Sequence, residues 1–412
     1  MLRSTPAASA SRNGYADNRK EHSQNMLKEF FDKIRPSFEP EGKLHAFRSV
    51  FEGMETFMLV PNTTSQSGVS IHDAIDSKRI MSFVVIALIP ALLFGMYNVG
   101  YQNAVAAGQL ANATLWSMFL YGFLLVLPKI VVSYVVGLGI EFAVAQWKKE
   151  EIQEGYLVTG MIIPMIVPVD CPLWMIALAV AFSVIFCKEI FGGTGKNIFN
   201  PALVARAFLF FSYPTSMSGD KVWVHTSSVL GLGYDLPDGA TMATPLGEVA
   251  AKLVPNSSLS DMVIGLIPGS IGETSVIAIL IGAAILLYTG IASWRTMVSV
   301  FVGGALVALL FNHAGMTDNV AANLPWTEHL AAGGFCFGAV FMATDPVTSA
   351  RTEGGKYIYG FLIGALAILI RVLNPGYPEG MMLAILFMNM FAPLIDYFFV
   401  QSNINKRLKR AK

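Results

Sequence analysis

Charge is scarce in this chain. Only 14% of its 412 residues are Asp, Glu, Lys or Arg, against about 25% in a typical soluble domain. The shortage points to hydrocarbon, because a charged side chain at the centre of a bilayer costs several kcal/mol and spanning segments exclude it. Net charge is absent too: 28 basic residues balance 28 acidic ones. A global pull toward nucleic acid is thereby excluded, and no nucleic-acid partner is expected. Cysteine is rare, and Cys171, Cys187 and Cys336 are too few and too scattered for a disulfide framework. Nor do three thiols supply the four ligands of an iron–sulfur cluster. Residues 1–50 hold no apolar core ahead of a small-residue cleavage site, so the first span is expected to act as an uncleaved anchor.

What the chain has instead is apolar length. Hydrophobic residues make up 54% of it, and the mean hydropathy is +0.55. Apolar segments fall at 80–98, 117–147, 156–168, 173–192, 201–213, 274–292, 296–312, 330–345, 357–374 and 378–400. A helix needs about 20 apolar residues to cross the hydrocarbon core. Segments 156–168 and 201–213 are too short, which predicts half-helices or re-entrant elements buried by protein. Pro128 inside 117–147 predicts a kink.

Basic residues alternate between the connections. Residues 1–79 hold eleven Lys or Arg, and the tail holds Lys406, Arg407, Lys409, Arg410 and Lys412. The connections 99–116, 169–172 and 313–329 hold none, and the long connection 214–273 holds only Lys221 and Lys252. By the positive-inside rule, ten spans with both termini in the cytoplasm fit this alternation. Arg371, near the outer end of the ninth span, is the exception and is expected to pair or to snorkel. The predicted organisation is an all-α polytopic membrane protein. A cytoplasmic arm (1–79) precedes a first five-helix repeat (80–213) and an outer loop (214–273). A second five-helix repeat (274–400) and a basic cytoplasmic tail (401–412) follow. Within the arm, Met1–Gln24 reads as disordered, and Asn25–Ile34 as a short amphipathic helix.

The repeat has a motif. Asn200-Pro-Ala-Leu-Val-Ala-Arg206 lines up with Asp345-Pro-Val-Thr-Ser-Ala-Arg351. In each copy Asn or Asp precedes Pro, and Ala-Arg closes the heptad. Two halves of opposite orientation form an inverted repeat, an architecture that places its site near the midplane between them.

The polar motifs narrow the chemistry. Gly192–Asn197 is either a backbone anion-binding nest or a tight turn. It is not a nucleoside-triphosphate loop, because no Ser or Thr follows Lys196. Ser293-Trp-Arg295 reads as a basic anchor, and Pro268–Glu273 as a helix entry with an acidic first turn. Glu141, Asp345 and Asp396 are acidic residues in apolar segments, and therefore candidates for ion handling. A sodium ion needs oxygen ligands, which a carboxylate and helix-end carbonyls supply. The plainer alternative is pairing, of Asp345 with Arg351 or Arg206 and of Asp396 with a base such as Lys129. Gly137-Leu-Gly139 reads first as close helix packing. In the outer loop, Asp238-Gly-Ala-Thr241 is turn chemistry by default.

That last segment resembles a flavin-attachment motif, Ser/Asp-Gly-Ala-Thr. Asp238 stands where Ser is usual; Gly239, Ala240 and Thr241 match. With it come Gly192–Ala202, Pro268–Glu273, Ser293–Arg295, Phe341–Val347 and Asn374–Met382. Together, in this order, they resemble the family of B subunits of sodium-translocating NADH:quinone reductases along nearly the whole chain. The resemblance implies a urea-transporter-like fold and a bacterial inner membrane. It implies FMN joined through its phosphate to Thr241, a bound riboflavin, and reduction of ubiquinone or menaquinone coupled to Na+ export. It places Gly137 and Leu138, the latter where the family has Gly, in the quinone region ahead of Glu141. Implied partners are the other subunits of a six-subunit complex, membrane lipid and a flavin transferase. The chain carries no dinucleotide site, so NADH oxidation falls to another subunit. Two rivals remain: the D subunit of Rnf-type electron-transfer complexes, and a transporter or channel with no redox role. A flavin-acceptor loop discriminates against the second, and the long basic arm against the first.

Overall fold

The computed structural model describes residues 28–38, 42, 51, 55, 59, 77–148, 155–237, 242–314 and 319–411. Two compact units emerge: residues 1–78 with 141–152, and residues 79–140 with 153–412. In the first, a helix at 28–34 runs into a 3-10 turn, Arg35–Ser37. Phe31 and Phe51 are buried there, Phe38 stacks on Phe51 with ring centroids 4.7 Å apart, and Arg35 pairs with Glu55. The expected helix at Asn25–Ile34 is thus present over its described part. The region read as disordered, Met1–Gln24, lies outside the described residues.

The second unit is helical, with no strand among the described residues. The longer helices that lie in it wholly or for most of their length are α1 (Ser77–Ala106), α2 (Leu115–Lys148), α3 (Tyr156–Met165), α4 (Leu173–Ser183), α5 (Pro201–Ser212), α6 (Val276–Tyr288), α7 (Trp294–Ala314), α8 (Glu353–Leu373) and α9 (Met381–Ala411). Among the described residues five are long and apolar enough to cross a membrane: α1, α2, α7, α8 and α9. This is the build of a membrane-embedded protein.

Several elements depart from the hydropathy pattern for identifiable reasons. Helix α1 continues past the apolar run that ends at residue 98, because its polar end finds partners. Asn98 donates to the Ile267 carbonyl at 2.9 Å, and Gln102 to Asn98 at 3.2 Å. Helix α2 keeps Pro128 inside one continuous helix. Helix α9 carries straight on into the segment expected as a separate tail. After Pro393 no Gly or Pro interrupts it, and the Lys, Arg and Leu near its end are good helix formers. The apolar segment 330–345 is broken rather than continuous. A short helix, Trp326–Ala331, stops at Gly333, whose φ is +63°, and a new turn, Phe335–Phe337, leads into a π-helical stretch, Gly338–Met342. Helix α4 likewise passes into a π-helical stretch, Val184–Glu189. A π-helical turn therefore lies upstream of each copy of the repeat motif.

Side chains cap the helices where the backbone would otherwise be left unsatisfied. Asn200, Ser275 and Thr352 accept from the backbone N–H groups of Ala202, Ala278 and Gly355, opening α5, α6 and α8. Between helices, glycine permits close approach in place of a hydrophobic driving force. On the α7–α8 face a Cβ at Gly364 would lie 2.0 Å from the Val300 carbonyl oxygen, and one at Gly303 would lie 2.2 Å from that of Phe361. Gly122 of α2 meets the Met96 carbonyl of α1 in the same way, at 1.8 Å.

Gly364→Val forces α7 and α8 apart, at a cost of about 1–3 kcal/mol. Thermal unfolding of the detergent-solubilised protein is expected to show a lower midpoint; an unchanged midpoint contradicts the close-packed seam.

Candidate functional site

The two motif copies meet. Asn200 Oδ1 accepts from the Ala202 N–H at 3.0 Å, and Asp345 Oδ1 accepts from the Val347 N–H at 3.1 Å. Each motif thus bonds the N–H two residues on. Across the junction Asn200 Nδ2 donates to Asp345 Oδ2 at 3.3 Å, and Thr348 Oγ1 donates to the same oxygen at 2.9 Å. Asp345 therefore pairs with neither Arg206 nor Arg351; the amide of the other copy is its partner. Asn200 and Asp345 line a cavity with Asn197, Lys188, Thr159 and Phe341. Beside it, Gly192, Gly193 and Gly195 take left-handed φ angles of +105°, +93° and +88°. The N–H groups of Gly192, Gly193 and Lys196 are spent on the carbonyls of Glu189, Lys188 and Gly193. The glycine run is thus a tight turn beside the cavity wall.

A second cavity is built around charge. Arg206, buried on α5, donates through Nη1 to Glu273 Oε1 at 2.6 Å and through Nη2 to Glu379. Glu273 and Arg206 are both about 97% buried, and Glu379 keeps 20% of its side chain exposed. Arg371, also buried, donates to the backbone carbonyls of His329, Ala332 and Glu379, the last at 3.1 Å. It pairs inside the protein rather than snorkelling. Tyr377 stands in the same wall, its phenol pushed up by burial and then by the Glu379 carboxylate, so it stays protonated. Thr274 and Ser270 line the cavity with buried hydroxyls, and Thr274 Oγ1 has no hydrogen-bond partner among the described residues. Sequence reading passes over this cluster as a whole. Its only signal there is an arginine within a short apolar segment, together with acidic residues next to the Pro-Gly turns 268–269 and 375–376.

Thr244 also lines this second cavity and caps the helix Pro245–Ala250, accepting from Gly247 at 3.0 Å. Asp238, Gly239, Ala240 and Thr241 themselves lie outside the described residues, but both flanks are held. Leu236 N–H donates to the Thr226 carbonyl and Met242 N–H to that of Asp220, each at 2.8 Å. Asp235, exposed, accepts from the Ser228 N–H at 2.7 Å, which holds its carboxyl below the usual range.

The remaining candidates are dispersed. Gly137 packs against Tyr156, where a Cβ would fall 1.9 Å from the ring, and Leu138 packs on the core. Glu141, four residues on along α2, is buried. Among the described residues Asp396 pairs with neither Lys129 nor any other base. Its carboxylate accepts from the N–H groups of Arg351 and Thr352 at 2.8 and 2.9 Å and from the Thr352 hydroxyl at 2.6 Å, tying α9 to the start of α8. Lys129 donates instead to the Cys171 carbonyl at 2.6 Å.

Arg206→Met leaves two carboxylates facing each other without their bridge, at a cost of about 3–5 kcal/mol. The yield of monodisperse protein in size-exclusion chromatography is expected to collapse. It should recover in part when Glu273→Gln and Glu379→Gln are added. No recovery would mean that packing, not charge, is what Arg206 supplies.

Known proteins resemble the chain throughout. The model of the NQR2, RnfD, RnfE family matches residues 64–405. The B subunit of the Na(+)-translocating NADH-quinone reductase of Chromohalobacter salexigens is 45% identical over 404 residues, covering 93% of this chain and 96% of the relative. Its counterparts in Azotobacter vinelandii and Pseudoalteromonas atlantica are 43% and 42% identical, covering 93% of this chain and 99% of each relative.

Proposed function

The chain belongs to the NQR2, RnfD, RnfE family, and we propose that it is the B subunit, embedded in the membrane, of a sodium-translocating NADH:quinone reductase. The observation that carries this reading is full-length similarity, at 42–45% identity, to proteins of that name. A complex of that kind is an oxidoreductase with several subunits, and this chain is one part of it.

Ten segments span a bacterial inner membrane, with both termini in the cytoplasm. The halves 80–213 and 274–400 are inverted repeats on either side of the outer loop 214–273. In support, each motif copy follows a π-helical turn, each bonds the N–H two residues on, and the two copies meet at Asn200 and Asp345. FMN is joined to Thr241 by a phosphoester, with Asp238, Gly239 and Ala240 forming the small, flexible approach. A flavin when bound carries electrons singly or in pairs. The neighbouring residues fit such a tether. Three residues beyond Thr241, Thr244 stands on the rim of a cavity whose wall holds the Thr274 hydroxyl, unpartnered among the described residues, and the Arg206 bridge. For the non-covalent riboflavin, the amide, ammonium and hydroxyl groups at the Asn200–Asp345 junction match in kind the polar edge of the ring.

Quinone, ubiquinone or menaquinone, is bound in the region of Gly137, Leu138 and Glu141. The sodium candidates are Glu141, which is buried, Asp345, in the cavity wall at the repeat junction, and Asp396, which also anchors α8. Further partners are the remaining subunits of a six-subunit assembly, membrane lipid, and the transferase that attaches the flavin.

Denaturing-gel fluorescence of the chain co-expressed with a flavin transferase is the direct test. A fluorescent band that survives denaturation and is absent from Thr241→Ala is expected. A wild-type chain that stays dark, beside a second substrate that the same transferase labels, overturns the redox assignment.

A further inference from the structure

The segment ahead of the acceptor loop is a small folded unit. Val229 and Leu232 exchange backbone hydrogen bonds at 2.9 Å in both directions, and Leu236 N–H reaches back to the Thr226 carbonyl. Left-handed residues at Leu230, Gly231 and Gly233, with φ of +50°, +78° and +75°, make the reversal. Two buried side chains from the helices hold this unit. Asn103, on the last turn of α1, has no exposed surface. Its Nδ2 donates to the His225 carbonyl at 3.0 Å and to the Tyr234 carbonyl at 2.9 Å, while its Oδ1 accepts from the Tyr234 N–H at 2.8 Å. One amide thus grips both arms of the reversal, pairing with Tyr234 as a neighbouring backbone would. Tyr121 of α2, also fully buried, donates to the Ser227 carbonyl at 2.7 Å. Its ring lies where a Cβ on Gly233 would fall, 2.3 Å from Cε2.

A loop needs no such grip to connect two helices. Three bonds from one buried amide cost the entropy of ordering the segment they hold, and that order is useful where the next residues must be presented to something. We propose that Asn103 and Tyr121 are positioning residues for flavin attachment: they fix the 225–236 segment so that the acceptor hydroxyl of Thr241 is presented to the transferase. The proposal rests on Thr241 being the flavin acceptor. In the attachment step the Thr241 oxygen bonds to the flavin phosphorus and the hydroxyl proton is lost. Joining free FMN would have to expel water, so the donor is a flavin dinucleotide. Its pyrophosphate bond breaks, AMP leaves, and nothing is oxidised or reduced. Holding the segment ahead of the acceptor in one arrangement spares the encounter the cost of ordering that segment.

The test uses the full-length chain, purified without flavin, with a purified transferase and a flavin dinucleotide. Asn103→Leu keeps the volume and removes all three bonds; Tyr121→Phe keeps the ring on Gly233 and removes the hydroxyl that reaches the Ser227 and His225 carbonyls. The transferase KM for the chain is expected to rise at least tenfold for Asn103→Leu and severalfold for Tyr121→Phe, with kcat at saturating chain and the KM for the dinucleotide unchanged. Unchanged KM for the chain in both variants overturns the proposal, as does a fall in kcat alone. If Asn103→Leu does not accumulate, Tyr121→Phe decides by the same criterion. A wild-type chain that accepts no flavin at all defeats the underlying acceptor assignment instead, and is seen before any variant is compared.

Discussion

Two guanidinium groups and two carboxylates share one buried place, and the arrangement around them depends on their balance. Arg206 bridges Glu273 and Glu379, while Arg371 binds the backbone of Glu379 from the other side. Any one of these charges alone in an apolar interior would cost several kcal/mol; together they satisfy one another. The bridge joins α5 to the segment ahead of α6 and to the turn between α8 and α9. Elements far apart in the chain are thereby held around one cavity. The short length of α5 follows from the same constraint. A half-helix that stops inside the protein exposes its terminal backbone groups, and only protein can satisfy them there.

Both cavities combine an apolar frame with a few polar groups, and they differ in what those groups are. At the Asn200–Asp345 junction one polar group from each repeat motif bonds the other, with Lys188, Asn197 and Thr159 beside them. At the Arg206 bridge the polar groups are ions and hydroxyls, the Thr274 hydroxyl being one of those without a partner among the described residues. The two cavities of one helical body thus differ in polarity. Thr244, three residues beyond the proposed acceptor Thr241, lines the second of these cavities.

Much of this is legible in the sequence. Apolar runs mark the five long helices, because hydropathy over about 20 residues reports directly on transfer into hydrocarbon. Short runs at 156–168 and 201–213 announce α3 and α5. The heptad pairing aligns Asn200 with Asp345, and the two touch in the structure. What stays hidden depends on partners distant in the chain. Asp345 finds an amide rather than an arginine, and Asp396 takes backbone N–H groups rather than a lysine. Arg371 turns to carbonyls. The break at Gly333 inside an apolar run, and the extension of α1 past residue 98, are likewise decided by tertiary contacts. Hydropathy does not see who sits opposite. The attachment motif is read by resemblance alone, and its own residues lie outside the described structure.

In the proposed function this membrane body couples electron transfer at a tethered flavin to sodium movement. The most direct measurement is uptake of radioactive sodium into proteoliposomes holding the whole complex, driven by NADH and quinone, with wild-type or Thr241→Ala chain. Uptake in the wild type and none in the variant is expected, although the complex assembles in both. Equal uptake in the two would mean that sodium crosses without the flavin, and would leave a transporter of this fold in place of a redox subunit.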